Sequence, residues 1–82
     1  MHNTEHNKNS ILYTHPNCSS CNYIKDYLNS INFEFNEVDC SKNLQVCIKK
    51  NITSLPTLEV NGKFIVGKKA IINYMSKISK IS

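Results

Sequence analysis

The 82-residue sequence lacks arginine and tryptophan, and it contains only two glycines and two prolines. Nucleic-acid-binding proteins rely on arginine for bidentate contacts and gather their charge on one face, whereas the lysines here are scattered along the chain. Long apolar runs are also missing, because stretches such as 11–13 and 64–66 fall far below the ~20 residues of a membrane-spanning helix. We therefore expect neither a nucleic-acid partner nor a place in the membrane.

The composition is that of a small folded domain. Apolar residues make up 40% of the chain and charged residues 20%, with a formal net charge of +4. These proportions lie far from those of disordered chains. Residues 1–9 are polar and show no periodicity, so we expect a flexible N-terminal arm at 1–9 and one domain at 10–82. The arm has no apolar signal-peptide core, and we expect a cytoplasmic protein that acts as a monomer.

Hydrophobic periodicity and turn residues predict the element order β-α-β-α-β-β-α. The first helix is expected from near Cys18 to near Asn29, with an apolar face formed by Tyr23, Ile24, Tyr27, Leu28 and Ile31. Strands are predicted at 11–14, 33–38, 57–60 and 63–66. A short helix is predicted around 44–48, opened by Asp39 or Ser41 and closed by Asn51. A last helix has an apolar stripe that begins at Ile71.

The dipeptide Asn61-Gly62 gives the clearest local signal. Both residues adopt positive φ readily, as the two central positions of a type I′ hairpin turn require. The strands on either side must therefore run antiparallel, whereas strands joined through a helix pair in parallel. We predict an α/β fold with a four-stranded mixed sheet and helices on both faces.

Two cysteines, in the sequence Cys18-Ser19-Ser20-Cys21, stand where the first strand gives way to the first helix. Unpaired N–H groups and the positive end of the helix dipole favour the thiolate form of a cysteine at this position. The second cysteine lies on the same side of the first helical turn and can reach the first sulfur. We expect Cys18 to attack a substrate disulfide and Cys21 to resolve the mixed disulfide that forms.

Two other interpretations of this cysteine pair are open. Zinc requires four ligands, and the chain offers four cysteines, so Cys18 and Cys21 could form a zinc site with Cys40 and Cys47. The first spacing suits such a site, but the six residues between Cys40 and Cys47 do not. The pair could also be two inert thiols. The strand-turn-helix setting favours redox chemistry, and we expect no metal and no cofactor.

The residues around the cysteine pair resemble a known family. The sequence Tyr-Thr-His-Pro-Asn-Cys-Ser-Ser-Cys at 13–21 is followed by Ile-Thr-Ser-Leu-Pro-Thr-Leu at 52–58, and then by Asn61-Gly62 and Gly67. This combination is similar to the thioredoxin superfamily and, in size, to its glutaredoxins. The similarity covers essentially residues 10–80.

The resemblance implies a fold, an activity and a docking edge. The fold is the thioredoxin/glutaredoxin fold, and the activity is thiol–disulfide exchange on protein disulfides or dithiols, with glutathione or a thioredoxin reductase-type enzyme as a further partner. It also implies a cis peptide bond before Pro56, which would face the cysteine pair, and pairing of the Leu55 backbone with bound substrate. The substrate-docking edge would consist of Ser54, Leu55, Pro56 and Thr57.

Alternatives to a protein-directed oxidoreductase are also open, and one departure from the glutaredoxin pattern bears on the use of glutathione. Glutaredoxins hold glutathione through a later G-G-x-D sequence, and the matching residues 67–70 here read Gly-Lys-Lys-Ala. The acid that would contact the amino group of glutathione is missing, although Lys68 or Lys69 could attract a carboxylate. The alternatives are a glutathione-dependent glutaredoxin, with glutathione as reductant, and a zinc- or iron–sulfur-binding module.

A second resemblance concerns Cys40 and Cys47. Their surroundings are similar to the catalytic domains of protein disulfide isomerases and to the thioredoxin-like domain fused to vitamin K epoxide reductase homologues, which can carry a second cysteine pair here. One regular helix holding both residues would set their Cα atoms roughly 10 Å apart, beyond the ~7 Å limit for a disulfide. A bridge therefore requires Cys40 to precede the helix. A structural Cys40–Cys47 disulfide and two buried free thiols are both open.

Overall fold

The structure is a computed structural model that describes residues 10–81, so the arm expected at 1–9 lies outside the described residues. The predicted order of elements is confirmed. None of the described helices is long and apolar enough to cross a membrane. The elements are β1 (Ile11–Thr14), α1 (Ser19–Ser30), β2 (Asn36–Asp39), α2 (Leu44–Lys49), β3 (Thr57–Val60), β4 (Lys63–Val66) and α3 (Lys68–Ile81).

The four strands form one mixed sheet in the order β2-β1-β3-β4. β1 pairs in parallel with β2 and antiparallel with β3, and β3 pairs antiparallel with β4. The turn between β3 and β4 has φ values of 50° at Asn61 and 84° at Gly62, as a hairpin turn with two positive φ angles requires. The predicted mixed sheet and its hairpin are confirmed.

Side chains that alternate along β1 divide the apolar interior between the two faces of the sheet. Leu12 belongs to the larger cluster, which the sheet forms with α1 and α3; its buried members are Leu12, Ile24, Leu28, Leu58, Val60, Ile71 and Met75. Tyr13 points to the opposite face and forms a second buried cluster with Cys40 and with Cys47 of α2. Helices therefore cover both faces, as predicted.

Strand β2 begins three residues later than the sequence predicted, at Asn36 rather than at residue 33. The backbone N–H of Phe33 donates a hydrogen bond of 2.9 Å to the carbonyl of Leu28 at the end of α1. Phe33 and Phe35 pack against the larger core cluster. Their alternation therefore reflects packing beneath the end of the helix and not pairing in the sheet.

Two residues assigned to the apolar face of α1 are exposed. Tyr23 is 52% exposed and Ile31, which follows the last helical residue, is 39% exposed, whereas Ile24 and Leu28 are fully buried. The ammonium group of Lys68 lies 4.7 Å from the centre of the Tyr23 ring, a cation–π contact that joins α1 to the start of α3. The buried stripe of α1 is therefore narrower than its apolar sequence pattern.

Helix α2 does not begin at Asp39 or Ser41, because Asn43 is its N-cap residue. The Asp39 carboxylate instead accepts hydrogen bonds from the hydroxyl (2.7 Å) and backbone N–H (2.8 Å) of Ser41, which lower the pKa of Asp39. Asp39 therefore closes the turn before the helix. The predicted end is confirmed, since Asn51 follows α2 with a φ of 59°.

Candidate active site

Three loops leave the sheet at the same end. Parallel strands β1 and β2 finish side by side at Thr14 and Asp39, and antiparallel β3 begins beside them at Thr57. The loop after β1, the loop after β2 and the loop before β3 are therefore neighbours. This topology brings both cysteine pairs and the predicted docking edge to one end of the sheet.

Cys18 is the N-cap residue of α1, with extended backbone angles of φ −110° and ψ 106°. Its Sγ accepts a hydrogen bond of 3.1 Å from the backbone N–H of Cys21, so a sulfur occupies the place of the usual capping oxygen. The two sulfurs form a disulfide across Cα atoms 5.2 Å apart. Cys18 is partly exposed, whereas Cys21 is fully buried. A partner can reach only the first sulfur directly, which fits the predicted roles of nucleophile and resolving thiol.

The turn between β1 and α1 is held by His15. Its carbonyl accepts a hydrogen bond of 3.2 Å from the backbone N–H of Cys18, and its Nδ1 accepts another of 3.2 Å from the backbone N–H of Asn17. Pro16 fixes one φ angle within the same turn. These contacts place Cys18 at the start of the helix with its side chain directed to the first turn.

The predicted docking edge forms a tight bend before β3. The peptide bond between Leu55 and Pro56 is cis, as the resemblance implied. Pro56 is buried and its carbonyl accepts a hydrogen bond of 2.9 Å from the backbone N–H of Gly67, while the Thr57 hydroxyl donates one of 2.6 Å to the Ser54 carbonyl. Ser54 is exposed and Leu55 partly so, whereas Thr57, also predicted as a docking residue, is buried at 1% exposure because its hydroxyl closes the bend. That substrates bind here stays a prediction.

Cys40 and Cys47 also form a disulfide, with Cα atoms 5.8 Å apart. Cys40 precedes α2, and its N–H donates a hydrogen bond of 2.8 Å to the carbonyl of Thr14, which extends the β1–β2 ladder by one residue. Both cysteines are buried, at 8% and 4% exposure, and Ile52 and Leu55 pack against their cluster. The bridge therefore lies directly behind the docking edge.

A polar network that the sequence did not reveal lies on the same face of the sheet as the Cys40–Cys47 bridge. The hydroxyl of buried Tyr13 donates a hydrogen bond of 2.7 Å to Glu59 Oε1, and the ammonium of Lys50 contacts the same oxygen at 3.0 Å. Burial alone would raise the pKa of Glu59, but the hydrogen bonds from Tyr13 and Lys50 outweigh it and lower that pKa. Burial, followed by the contact with Glu59, raises the pKa of Tyr13.

This network fixes the residue after α2 to the middle of the sheet. Lys50 is the C-cap residue of α2, whereas Tyr13 and Glu59 belong to β1 and β3. The three residues are distant in sequence, so no local pattern joins them. One signal was available: Glu59 is the only charged residue in a strand whose other members are apolar or Thr, and an acid there requires a partner.

We predict that the Glu59→Gln variant loses about 1 kcal/mol of unfolding free energy at neutral pH, because a neutral amide oxygen accepts the hydrogen bonds from Tyr13 and Lys50 without the negative charge that strengthens them. The pKa of Glu59 is lower in the folded state than in the unfolded state. The carboxylate therefore contributes fully to stability above its unfolded-state pKa, and this stabilisation is lost as the pH falls through its folded-state pKa. The stability difference between variant and wild type should therefore shrink in acid. Denaturant unfolding across that range measures it, with Glu34→Gln at an exposed position as control. A difference independent of pH would contradict the prediction.

The four cysteines are divided between two disulfides. Within residues 10–81, no three histidine, cysteine, aspartate or glutamate side chains gather where they could hold one metal ion. The zinc interpretation required both pairs as one ligand set, and the described geometry does not bring them together as such a set.

A comparison with protein-family models finds one match, to the model described as glutaredoxin, over residues 11–65. No curated protein matches the chain at a significant level. The matched segment contains Cys18 and Cys21 together with the docking edge and the second cysteine pair.

Solved structures with the same fold include thioredoxin-like proteins and glutaredoxins. The thioredoxin-like protein BC3987 has a TM-score of 0.69 and 24% identity, over 83% of this chain and 96% of that one. Glutaredoxin from Brucella melitensis has a TM-score of 0.66 and 22% identity, over 85% and 80% of the two chains. A buckwheat glutaredoxin in complex with glutathione has a TM-score of 0.69 and 10% identity, over 88% and 72%. These likenesses confirm the predicted thioredoxin-like fold.

Proposed function

Because the chain belongs to the glutaredoxin family, we propose that it is a thiol–disulfide oxidoreductase that acts on protein disulfides through Cys18 and Cys21. One observation carries the proposal. Partly exposed Cys18 caps α1 with its sulfur, which is bonded to the sulfur of fully buried Cys21. This arrangement presents one sulfur to a substrate and keeps the second in reach.

The exchange proceeds in two displacements. In the reduced protein, the Cys18 thiolate attacks one sulfur of the substrate disulfide, forming a mixed disulfide and releasing the other substrate sulfur as a thiolate that takes up a proton. The Cys21 thiol then loses its proton and displaces the second substrate sulfur, which closes the Cys18–Cys21 disulfide. One electron pair has passed from the protein dithiol to the substrate, and the protein is ready for an external reductant.

The docking edge would hold the substrate chain beside Cys18. In this proposal the backbone of Leu55 pairs with an extended substrate segment and Ser54 lines its path, while buried Thr57 holds the bend through its hydrogen bond to Ser54. The bend is anchored by the hydrogen bonds of Pro56 and Thr57, so the edge does not have to become ordered when substrate arrives. Anchoring of this kind supports docking of a flexible protein segment, because only the substrate segment then loses conformational entropy on binding.

The reductant of the oxidised form is proposed to be a protein dithiol, with glutathione as the second candidate. The buckwheat neighbour was solved with glutathione, which favours that candidate. At the start of α3, however, this chain carries Lys68 and Lys69, and Glu59 is its last acidic residue. No carboxylate of α3 is available to the ammonium group of glutathione, and Lys68 and Lys69 can attract only its carboxylates.

Wild-type protein should accelerate the reduction of insulin disulfides by dithiothreitol. At equal thiol concentration, glutathione should re-reduce the oxidised protein at least about tenfold more slowly than dithiothreitol does. Loss of the charge contact to glutathione accounts for about one factor of ten, since 1.4 kcal/mol corresponds to that factor, and the second thiol of dithiothreitol adds to the difference. Stopped-flow measurement of the two re-reduction rates tests this. Equal rates would identify a glutathione-dependent glutaredoxin, and absence of any acceleration would refute the oxidoreductase.

A further inference from the structure

The sheet face that carries α2 is only half covered. Helix α2 has six residues and packs through Cys47 against Tyr13 in the middle of the sheet. On the edge strand β4, Ile65 packs against the larger core cluster, so its neighbours Phe64 and Val66 point to the face of α2. Their side chains remain 44% and 51% exposed. Neighbouring large apolar side chains left open in this way indicate a binding surface.

Phe64 and Val66 line a cleft of about 310 Å³ beside the loop that follows α2. Ile52 also lines it, and most of the exposed lining is apolar although Asn51, Thr53 and Thr57 contribute polar atoms. The volume is at the lower end of the ~300–1,000 Å³ typical of ligand pockets and is suited to a large side chain. Lys50 contributes to the lining as well, but its ammonium is held by Glu59. The cleft therefore has the character of an apolar subsite.

The cleft is continuous with the proposed docking edge. Thr57 belongs to both, and it pairs in the sheet with Val66 of the cleft. The backbone N–H of Gly67, directly after Val66, donates to the carbonyl of Pro56. A substrate chain that lies along the docking edge thus passes the opening of the cleft and can insert a side chain into it.

The part of the sequence that contributes the cleft carries mostly positive charge. All lysines except Lys8 and Lys25 come after Asp39, whereas Glu59 is the only acidic residue there. Lys50 already neutralises Glu59. Lys49 and Lys63 are the chain neighbours of the lining residues Lys50 and Phe64, so they bring positive charge close to the cleft. Complementarity therefore requires an acidic partner.

We propose that this cleft is a specificity subsite for an apolar, preferably aromatic, side chain of an acidic protein substrate. The inference rests on the proposed function, because it names the substrate class of the same docking edge. The apolar side chain enters between Phe64 and Val66, and carboxylates on either side of it lie near Lys49 and Lys63. Small disulfides and glutathione have no such side chain, so the subsite separates protein substrates from them.

The test uses synthetic peptides, each with one cysteine held in a disulfide with a chromogenic thiol, in which one position is Phe or Ala at successive distances from the cysteine. At the matching distance, kcat/KM should be about tenfold higher for the Phe peptide, since partial burial of one aromatic side chain contributes roughly that factor. Glu neighbours should raise kcat/KM over Gln neighbours, and added salt should remove that advantage.

Two variants assign the preference to the cleft. Phe64→Thr keeps a strand-forming residue and should bring the ratio of kcat/KM for Phe and Ala peptides close to one. Ile78→Gln, at a residue 37% exposed on α3, removes a comparable apolar side chain away from the cleft and should keep the wild-type ratio. Because the ratio is measured within one variant, a change in overall activity cancels.

Three outcomes would overturn the inference. One is a wild-type ratio near one at every distance, and another is a ratio that Phe64→Thr leaves unchanged. The third is a dimer at assay concentration that Phe64→Thr dissociates, because the cleft would then belong to a second copy of the chain. Each of these leaves disulfide reduction intact. Failure of the proposed function differs from them, since wild-type protein would then reduce no peptide.

Discussion

Replacing Cys18 by serine should abolish disulfide reduction, with a fall in rate of at least ~1,000-fold, because the attacking sulfur is lost and the buried Cys21 cannot be reached by substrate. The serine oxygen can still cap α1, so the fold should be kept. Initial rates with a protein disulfide and dithiothreitol measure the effect. Circular dichroism checks that the variant is folded.

The Cys21→Ser variant separates the two displacements. It retains the attacking sulfur and lacks the resolving one, so it should accumulate a mixed disulfide with the substrate that intact-mass spectrometry detects. Ser19→Ala, in the same helical turn and exposed, serves as the control and should keep nearly full activity. Turnover by Cys18→Ser, or a trapped adduct on Cys21 in that variant, would reverse the assignment of the two sulfurs.

Removing the Cys40–Cys47 bridge should give the largest loss of stability. The double variant Cys40→Ala/Cys47→Ala should lose about 2 kcal/mol of unfolding free energy, because the bridge closes a short loop and constrains the unfolded chain. For a domain of this size the loss corresponds to a fall of roughly 10 °C in Tm. Thermal unfolding without reductant measures it. The double variant is preferred since either single variant leaves a thiol that can exchange with Cys18.

A change in docking should accompany the change in stability. Leu55 packs against the cluster that contains the bridge. Loss of the bridge should therefore raise KM for a protein disulfide more than it lowers kcat. Wild-type protein in which both bridges have been reduced provides the matched comparison. A double variant with wild-type Tm and KM would contradict both expectations, and alkylation of the unfolded wild type without reductant would then show whether the bridge forms at all.

The sequence was sufficient for those parts of the fold that depend on local chemistry. Asn61 and Gly62 specified the hairpin because few residue pairs accept two positive φ angles. The first strand and helix followed from an apolar run, a proline turn and a periodic stripe. The candidate site could be predicted for the same reason, since two cysteines at a strand-to-helix turn are recognised from the local sequence alone.

What the sequence could not provide depends on contacts between distant segments. The alternation at Phe33 and Phe35 is shared by a strand and by a segment packed beneath a helix end, and only the hydrogen bond from Phe33 to Leu28 distinguishes them. The exposed side chains of Phe64 and Val66 could not be foreseen either. Their pattern is that of a buried strand, and their exposure follows from the shortness of α2.

The sulfur that caps α1 ties the stability of the helix to the oxidation state of the protein. A thiolate is a stronger hydrogen-bond acceptor than a disulfide sulfur, so the contact from the Cys21 N–H to Cys18 Sγ strengthens when the pair is reduced. In a thermodynamic cycle, any interaction that favours the reduced form makes the couple a stronger oxidant. Substitutions in the first helical turn can therefore shift the reduction potential of the couple, and with it the direction of electron flow, while both sulfurs stay in place.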